Sequence, residues 1–179
     1  MELINEILAF SAGEACRFSG VAFKRLDGWA RSGFIVPSVQ APHADYHARR
    51  RYSFRDIVEL TVARKLRDNI GVSLQALRTI QKILRRDYQA PFAQAWLITD
   101  GHDFFELREK QADITSVLRH PGQSKSCLPF AVLDIGRTVQ ELIAVAAAER
   151  DMTIQEIREK IARDEPAQGK TTHMLHGAS

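Results

Sequence analysis

The chain has 179 residues, 45% of them hydrophobic and 26% charged, a globular balance with room for one large or two small domains. Its longest apolar run, Leu142 to Ala148, is far short of the roughly 18–20 residues that cross a bilayer, and the N-terminus lacks the basic-then-apolar order of a secretion signal. The net charge of +3 is unevenly spread: residues 1–88 carry 15 Lys and Arg against 9 Asp and Glu, and the remainder 10 against 13, which suggests a front module that meets a polyanion and a back module that does not.

Met1 to Ala9 is apolar at Leu3, Ile4, Ile7 and Leu8, the spacing of a short amphipathic helix or a packing arm. Ser11 and Glu14 then form S-x-x-E, a capping box that satisfies the free amides at a helix start. That helix is expected to reach about Phe18, with Gly20 allowing a sharp turn. A second helix is expected from about Ala22 to Arg31, with Val21, Leu26 and Trp29 facing inward, ended by Gly33 and Pro37. Two short helices around a Gly-containing turn read as a helix-turn-helix. In that arrangement the start of the second helix meets base edges in the major groove. Here the start is Ala22, Phe23, Lys24 and Arg25. Lys and Arg can donate to guanine, and Phe23 can touch a thymine methyl. The same cations would also serve simply to solubilise an exposed face.

Phe34 to Val36 reads as a short β run. The polar stretch Ser38 to Ala48 leads to Arg49, Arg50, Arg51 and Tyr52, expected as a hairpin wing whose arginines reach phosphate oxygens. His43, Asp45 and His47 lie in that loop without a Cys partner, a poor metal set. Ser53 caps a helix over Phe54 to Asn69, with Asp56 completing a capping box and a buried stripe at Phe54, Ile57, Val58, Thr61, Val62 and Leu66. After Gly71, Ser73 caps a further helix with Leu74, Leu77, Ile80, Ile83 and Leu84 inward.

The segments GVAFKRLDGWARSGFIVPS, RRRYSFRDIVEL and KLRDNIGVSLQALRTIQKIL together resemble the DNA-binding domain of the MerR family of transcriptional regulators, over roughly Phe10 to Leu84. The resemblance implies a winged helix-turn-helix with two further helices, base contacts from Lys24 and Arg25, and phosphate contact from Arg51. The family usually has an Arg and then an aromatic after the position of Leu26, and these grip phosphate. This chain has Asp27 and Gly28, so the resemblance leaves Arg49 and Arg50 to compensate for a repulsive Asp.

Beyond Pro91 the pattern turns to strands: WLIT, a turn at Asp100 to Asp103, FFELR, about Ile114 to Leu118, then FAVLDI over Phe130 to Ile135. This predicts a three- or four-stranded antiparallel element that needs a helix or partner chain to cover it. Helices follow from about Thr138 to Arg150, with Val139, Leu142, Ile143 and Ala146 on one face, and from Thr153 to about Arg163, with Ile154, Ile157 and Ile161. Gln168 to Ser179 has no period. The stretches ITDGHDFFEL and LRHPGQ are similar to the middle of MerR-like antitoxins of the VapB kind.

The expected fold is therefore mainly α with a small antiparallel β element. A winged helix-turn-helix domain spans 1–88, a small α+β dimerisation or partner-binding domain spans 89–165, and a tail spans 166–179. No nucleophile elbow, phosphate-cradling glycine loop or metal spacing is present, and His102 and His120 fall in turns. Neither enzyme activity nor a cofactor is expected. Cys16 and Cys127 make no disulfide framework and fit small core residues in a reducing cytoplasm. The functional expectation is a cytoplasmic, sequence-specific DNA-binding transcriptional regulator, acting as a homodimer on duplex DNA with a palindromic site. The alternative is an antitoxin-like protein that binds a toxin through its C-terminal half and represses its own operon.

Overall fold

A computed structural model describes residues 8–39, 50–87, 95–99, 104–108, 111–116 and 131–164. Within these, the molecule is mainly helical with two small antiparallel sheets.

The first sheet joins β1 (Ala9–Ser11) to β2 (Arg51–Ser53), with Phe10 opposite Tyr52 and both rings wholly buried. Each strand runs directly into a helix. β1 enters α1 (Ala12–Ser19) and β2 enters α3 (Phe54–Ile70). The two expected capping boxes stand at these junctions: Ser11 N donates to Glu14 Oε2 at 2.7 Å, and Ser53 N to Asp56 Oδ2 at 2.9 Å. Because the ladder is antiparallel, Ser11 lies opposite Arg51 and Ser53 opposite Ala9, so α1 and α3 leave it from opposite ends. The sequence reading missed this ladder. The expected helix or arm at Met1 to Ala9 ends in β1, and residues 1–7 lie outside the described ones.

α3 is the central element. It contacts α1, β2, α4 (Leu74–Asp87) and α5 (Ile135–Arg150). Being covered on several sides, it buries Leu60 and Ala63 as well as the expected Phe54, Ile57, Thr61, Val62 and Leu66, while Val58 is only half-buried. Gly71, with φ +78°, ends it. Ser73 Oγ then accepts from Ala76 N at the start of α4, which buries Leu77 and Ile80. The side chains of Ile83 and Leu84 lie outside the described residues.

The second sheet has the order β5-β4-β3-β6, all antiparallel, from β3 (Ala95–Thr99), β4 (Phe104–Arg108), β5 (Gln111–Ser116) and β6 (Ala131–Asp134). The expected hairpin is present as β3 and β4, with Thr99 opposite Phe104; the turn residues 100–103 lie outside the described ones, as do His102, His120 and Cys127. β5 falls earlier than the expected Ile114 to Leu118. β6 ends at Asp134 because the Asp134 carboxylate accepts from Arg137 N at 2.7 Å and opens α5 there, three residues before the expected Thr138.

α5 carries the expected face of Val139, Leu142, Ile143 and Ala146, all buried. It packs on α1 and α3 as well as on β3 and α6 (Ile154–Asp164). Polar contacts reinforce this docking: Arg17 with Glu149 at 2.8 Å, and Lys65 Nζ with Thr138 Oγ1 at 3.0 Å. α5 thus shares one core with the helix-turn-helix. On α6, Ile157 and Ile161 are buried, but Ile154 is largely exposed, contrary to its expected inward position. It stands at the first position of the helix.

Candidate nucleic-acid interface

α1, a turn at residues 20–22 and α2 (Phe23–Arg31) make the expected helix-turn-helix. Gly20 is required there twice over. Its φ is +71°, and a Cβ would sit 3.0 Å from Nε of Arg64. That Arg64 Nε donates to the Ser19 carbonyl at 2.7 Å, so α3 holds the turn directly. Val21, Leu26 and Trp29 seat α2 on the core.

Past Gly33, at φ +68°, the amides of Phe34 and Ile35 both donate back to the Trp29 carbonyl. They close the end of α2 in this way and form no ladder. The expected strand at Phe34 to Val36 is therefore absent. Phe34 and Ile35 tuck inward, with the Phe34 ring edge-on to Trp29 at 5.2 Å, and Val36 points to solvent.

The predicted base-reading residues divide sharply. Ala22 is the N-cap and makes no side-chain cap bond, Phe23 is 63% exposed, and Lys24 is exposed. Arg25 is held sideways, with Nη1 2.6 Å from Asp68 Oδ1 on α3 and its guanidinium 5.9 Å from the Trp29 ring centroid.

The wing residues divide too. Val39 bridges antiparallel to Arg51, so the chain leaves and returns side by side; residues 40–49, with Arg49, His43, Asp45 and His47, lie outside the described ones. Asp56 fastens this neck, accepting from Ser38 N, Ser38 Oγ and Ser53 N at 2.7–2.9 Å. Burial pushes its carboxyl pKa up, against the hydrogen bonds from Ser38 and Ser53. Arg51 is exposed. Arg50 is not, because its side chain is largely covered and pairs with Asp27 at 2.8 Å. Tyr52 is a core residue and faces no duplex, since period-two alternation turns it inward between Arg51 and Ser53. Burial raises its hydroxyl pKa, against a nearby Arg50.

Asp27 is pinned on both sides, by Arg50 and by Arg31 one turn along α2. The Arg50 hydrogen bond and then the Arg31 charge hold its carboxyl below the usual range, so it stays ionised and covered by cations. The sequence reading did not single out Arg31, although the Asp27–Arg31 spacing of four is a legible helix pair. It could not have found Asp68, which lies 43 residues from Arg25.

The finished surface is an exposed helix start beside an exposed arginine on a fastened neck. Among the described residues no group of His, Cys, Asp and Glu could hold a metal ion, and no helix is long and apolar enough to cross a membrane.

Residues 10–85 match the family described as MerR HTH family regulatory protein. This stretch is a MerR-type helix-turn-helix domain. Curated relatives of the chain include proteins named as uncharacterised HTH-type transcriptional regulators of Mycobacterium bovis and of two strains of Mycobacterium tuberculosis. Each is 32% identical over 102 residues, which is 57% of this chain and 44% of the relative. The chain therefore spans less than half the length of the curated relatives it matches. In this MerR-type domain the family's usual phosphate-gripping pair is replaced by Asp27 and Gly28, and the Asp27 charge is answered from within by Arg31 and Arg50.

Proposed function

We propose that this chain is a sequence-specific DNA-binding transcriptional regulator, acting in the cytoplasm as a homodimer on a palindromic site. The observation that carries the reading is the amino-terminal turn of α2. Phe23 and Lys24 project into solvent there, on a helix whose other side is fixed by Leu26, Trp29 and the Arg64-held turn. An exposed Phe on a rigid, cation-bearing helix start fits contact with base edges and thymine methyls. The wing read from the sequence would rise from the Val39–Arg51 neck, with Arg51 on phosphate. Residues 1–88 would be the DNA-binding domain, and 89–165 would supply the dimer or partner contacts. A single short helix reads few base pairs, so two copies about 34 Å apart would supply affinity and specificity.

The test is binding to fragments from upstream of the chain's own gene, against random duplex, over a salt series. Preferential binding with a defined protected palindrome supports the proposal. Sequence-indifferent binding, or none at 100 mM salt, overturns it.

The antitoxin-like alternative draws on the four-stranded sheet, whose edge strand β6 could accept a partner's strand. Co-purification of a toxin encoded next to the gene would favour it.

A further inference from the structure

We propose that Asp68 sets the stringency of DNA binding: it holds Arg25 on the protein, so that a duplex offering only its backbone gains no contact from that guanidinium. This rests on the DNA-binding reading above and names what limits attachment to unrelated sequence.

Arg64 and Asp68 stand one turn apart on α3 and so share a face. Arg64 holds the turn before α2 through the Ser19 carbonyl, and Asp68 reaches the first turn of α2 itself, where its Oδ1 lies 2.6 Å from Arg25 Nη1. The Trp29 ring sits under the same guanidinium, its centroid 5.9 Å away. Arg25 is thus fixed from two sides on the α3 flank of α2, while its neighbours Phe23 and Lys24 project into solvent.

The pair adds little to the fold. Leu26 and Trp29 already seat α2 in the core, and Arg64 already fixes the turn. The two side chains are 39% and 37% exposed, and an ion pair so exposed contributes little to stability. What the pair changes is the charge that a duplex meets. Binding to unrelated sequence comes almost wholly from cations that neutralise phosphates. A free arginine at this helix start would strengthen attachment to every sequence alike. Paired with Asp68 it adds no net charge, and its release breaks a charge-assisted bond and a ring contact.

The effect differs between the two kinds of duplex. Base contacts fix the depth and tilt of α2 on its own site, so the helix there is not free to swing Arg25 towards phosphate. A helix held by the backbone alone has that freedom. Asp68 therefore weakens the wrong complex more than the right one, which is selectivity gained by a repulsive element. Asp68 is a positioning residue, and its contact is with Arg25.

The experiment uses the full chain with two duplexes, the upstream fragment and a random sequence of equal length. Affinity is measured from 50 to 200 mM salt, and melting temperature without DNA. Asp68→Asn is expected to steepen the salt slope on random duplex by about 0.9, so that its gain in affinity shrinks about three- to four-fold across that range. Affinity for the upstream fragment rises less, and the ratio between the two duplexes falls several-fold. Arg25→Gln combined with Asp68→Asn is expected to restore the unaltered slope. Glu159→Gln, which adds the same charge on α6, is expected to change neither slope nor ratio. An unchanged slope for Asp68→Asn overturns the proposal. So does a steeper slope that persists in the double variant, because Arg25 is then not the cation gained, and so does one that Glu159→Gln reproduces, because net charge is then the cause. A lower melting temperature with weaker binding to both duplexes for Asp68→Asn makes the pair structural and also overturns it. Failure of the unaltered protein to bind either duplex removes the DNA-binding reading itself.

Discussion

Arg150, the last residue of α5, donates from Nη2 to Glu14 Oε1 at 2.9 Å and to the Ala9 carbonyl at 3.0 Å. Its guanidinium also lies over Phe10, 5.2 Å from the ring centroid. The end of a C-terminal helix thus grips the point where β1 becomes α1. Arg150→Ala should cost about 1–2 kcal/mol, since the pair is partly exposed but the hydrogen bonds are charge-assisted. Denaturant unfolding measures this.

Glu14 gives a pH signature. Burial works to raise its pKa, but the Ser11 amide and hydroxyl, with Arg150 and Arg17, bring it below the ordinary glutamate value. A depressed folded pKa means the folded state binds fewer protons than the unfolded one. The stabilisation is therefore present above about pH 4.5, the ordinary range, and is lost as pH falls through the lower folded value. Glu14→Gln should flatten the acid limb of a stability-versus-pH curve in that window and leave the slope near neutrality unchanged.

Ile143 lies wholly buried on α5, which packs on α1 and α3 of the helix-turn-helix unit. Ile143→Ala should cost about 2–5 kcal/mol. It should also lower the melting of α1 and α3 in the same transition, because they share one core. Hydrogen exchange that loosened α5 and α6 while leaving α3 fully protected would contradict this.

Gly20→Ala should be harmful. The left-handed backbone alone costs about 1–2 kcal/mol, and the added carbon would press on Arg64, which donates to the Ser19 carbonyl. A melting temperature equal to that of the unaltered chain would show that the turn has another low-energy form.

Lys24 and Arg51 should part company on DNA. Lys24→Ala should relax base preference by about 1–3 kcal/mol, and Arg51→Ala should weaken all sequences alike and lower the salt slope by about 1. Competition binding against single-base variants of the site separates the two effects.

Much of the fold was legible because its signals are local. Ser11 with Glu14, Ser53 with Asp56, and Gly20 with Gly71 each announce a helix end within a few residues. The stripes on α2, α4 and α5 follow the helical period. What escaped depends on distant partners. The ladder of three residues on each side between Phe10 and Tyr52 is too short for alternation to register, and it links segments 42 positions apart. The same distance hid the inward turn of Tyr52, which looked like one more residue of an arginine-rich wing. Arg50 is the arginine that answers Asp27, but its partner lies 23 positions away and only the fold brings the two together. Phe34 and Ile35 have strand-forming side chains, but their amides were already needed at the end of α2.

α5 begins on the residue after β6 and ends at Arg150. Sixteen helical residues make a strut about 24 Å long, with no slack at its sheet end and a three-way grip at the other. A displacement imposed on the sheet would be transmitted along this rod to the root of α1, and from there to the angle at which α2 is presented.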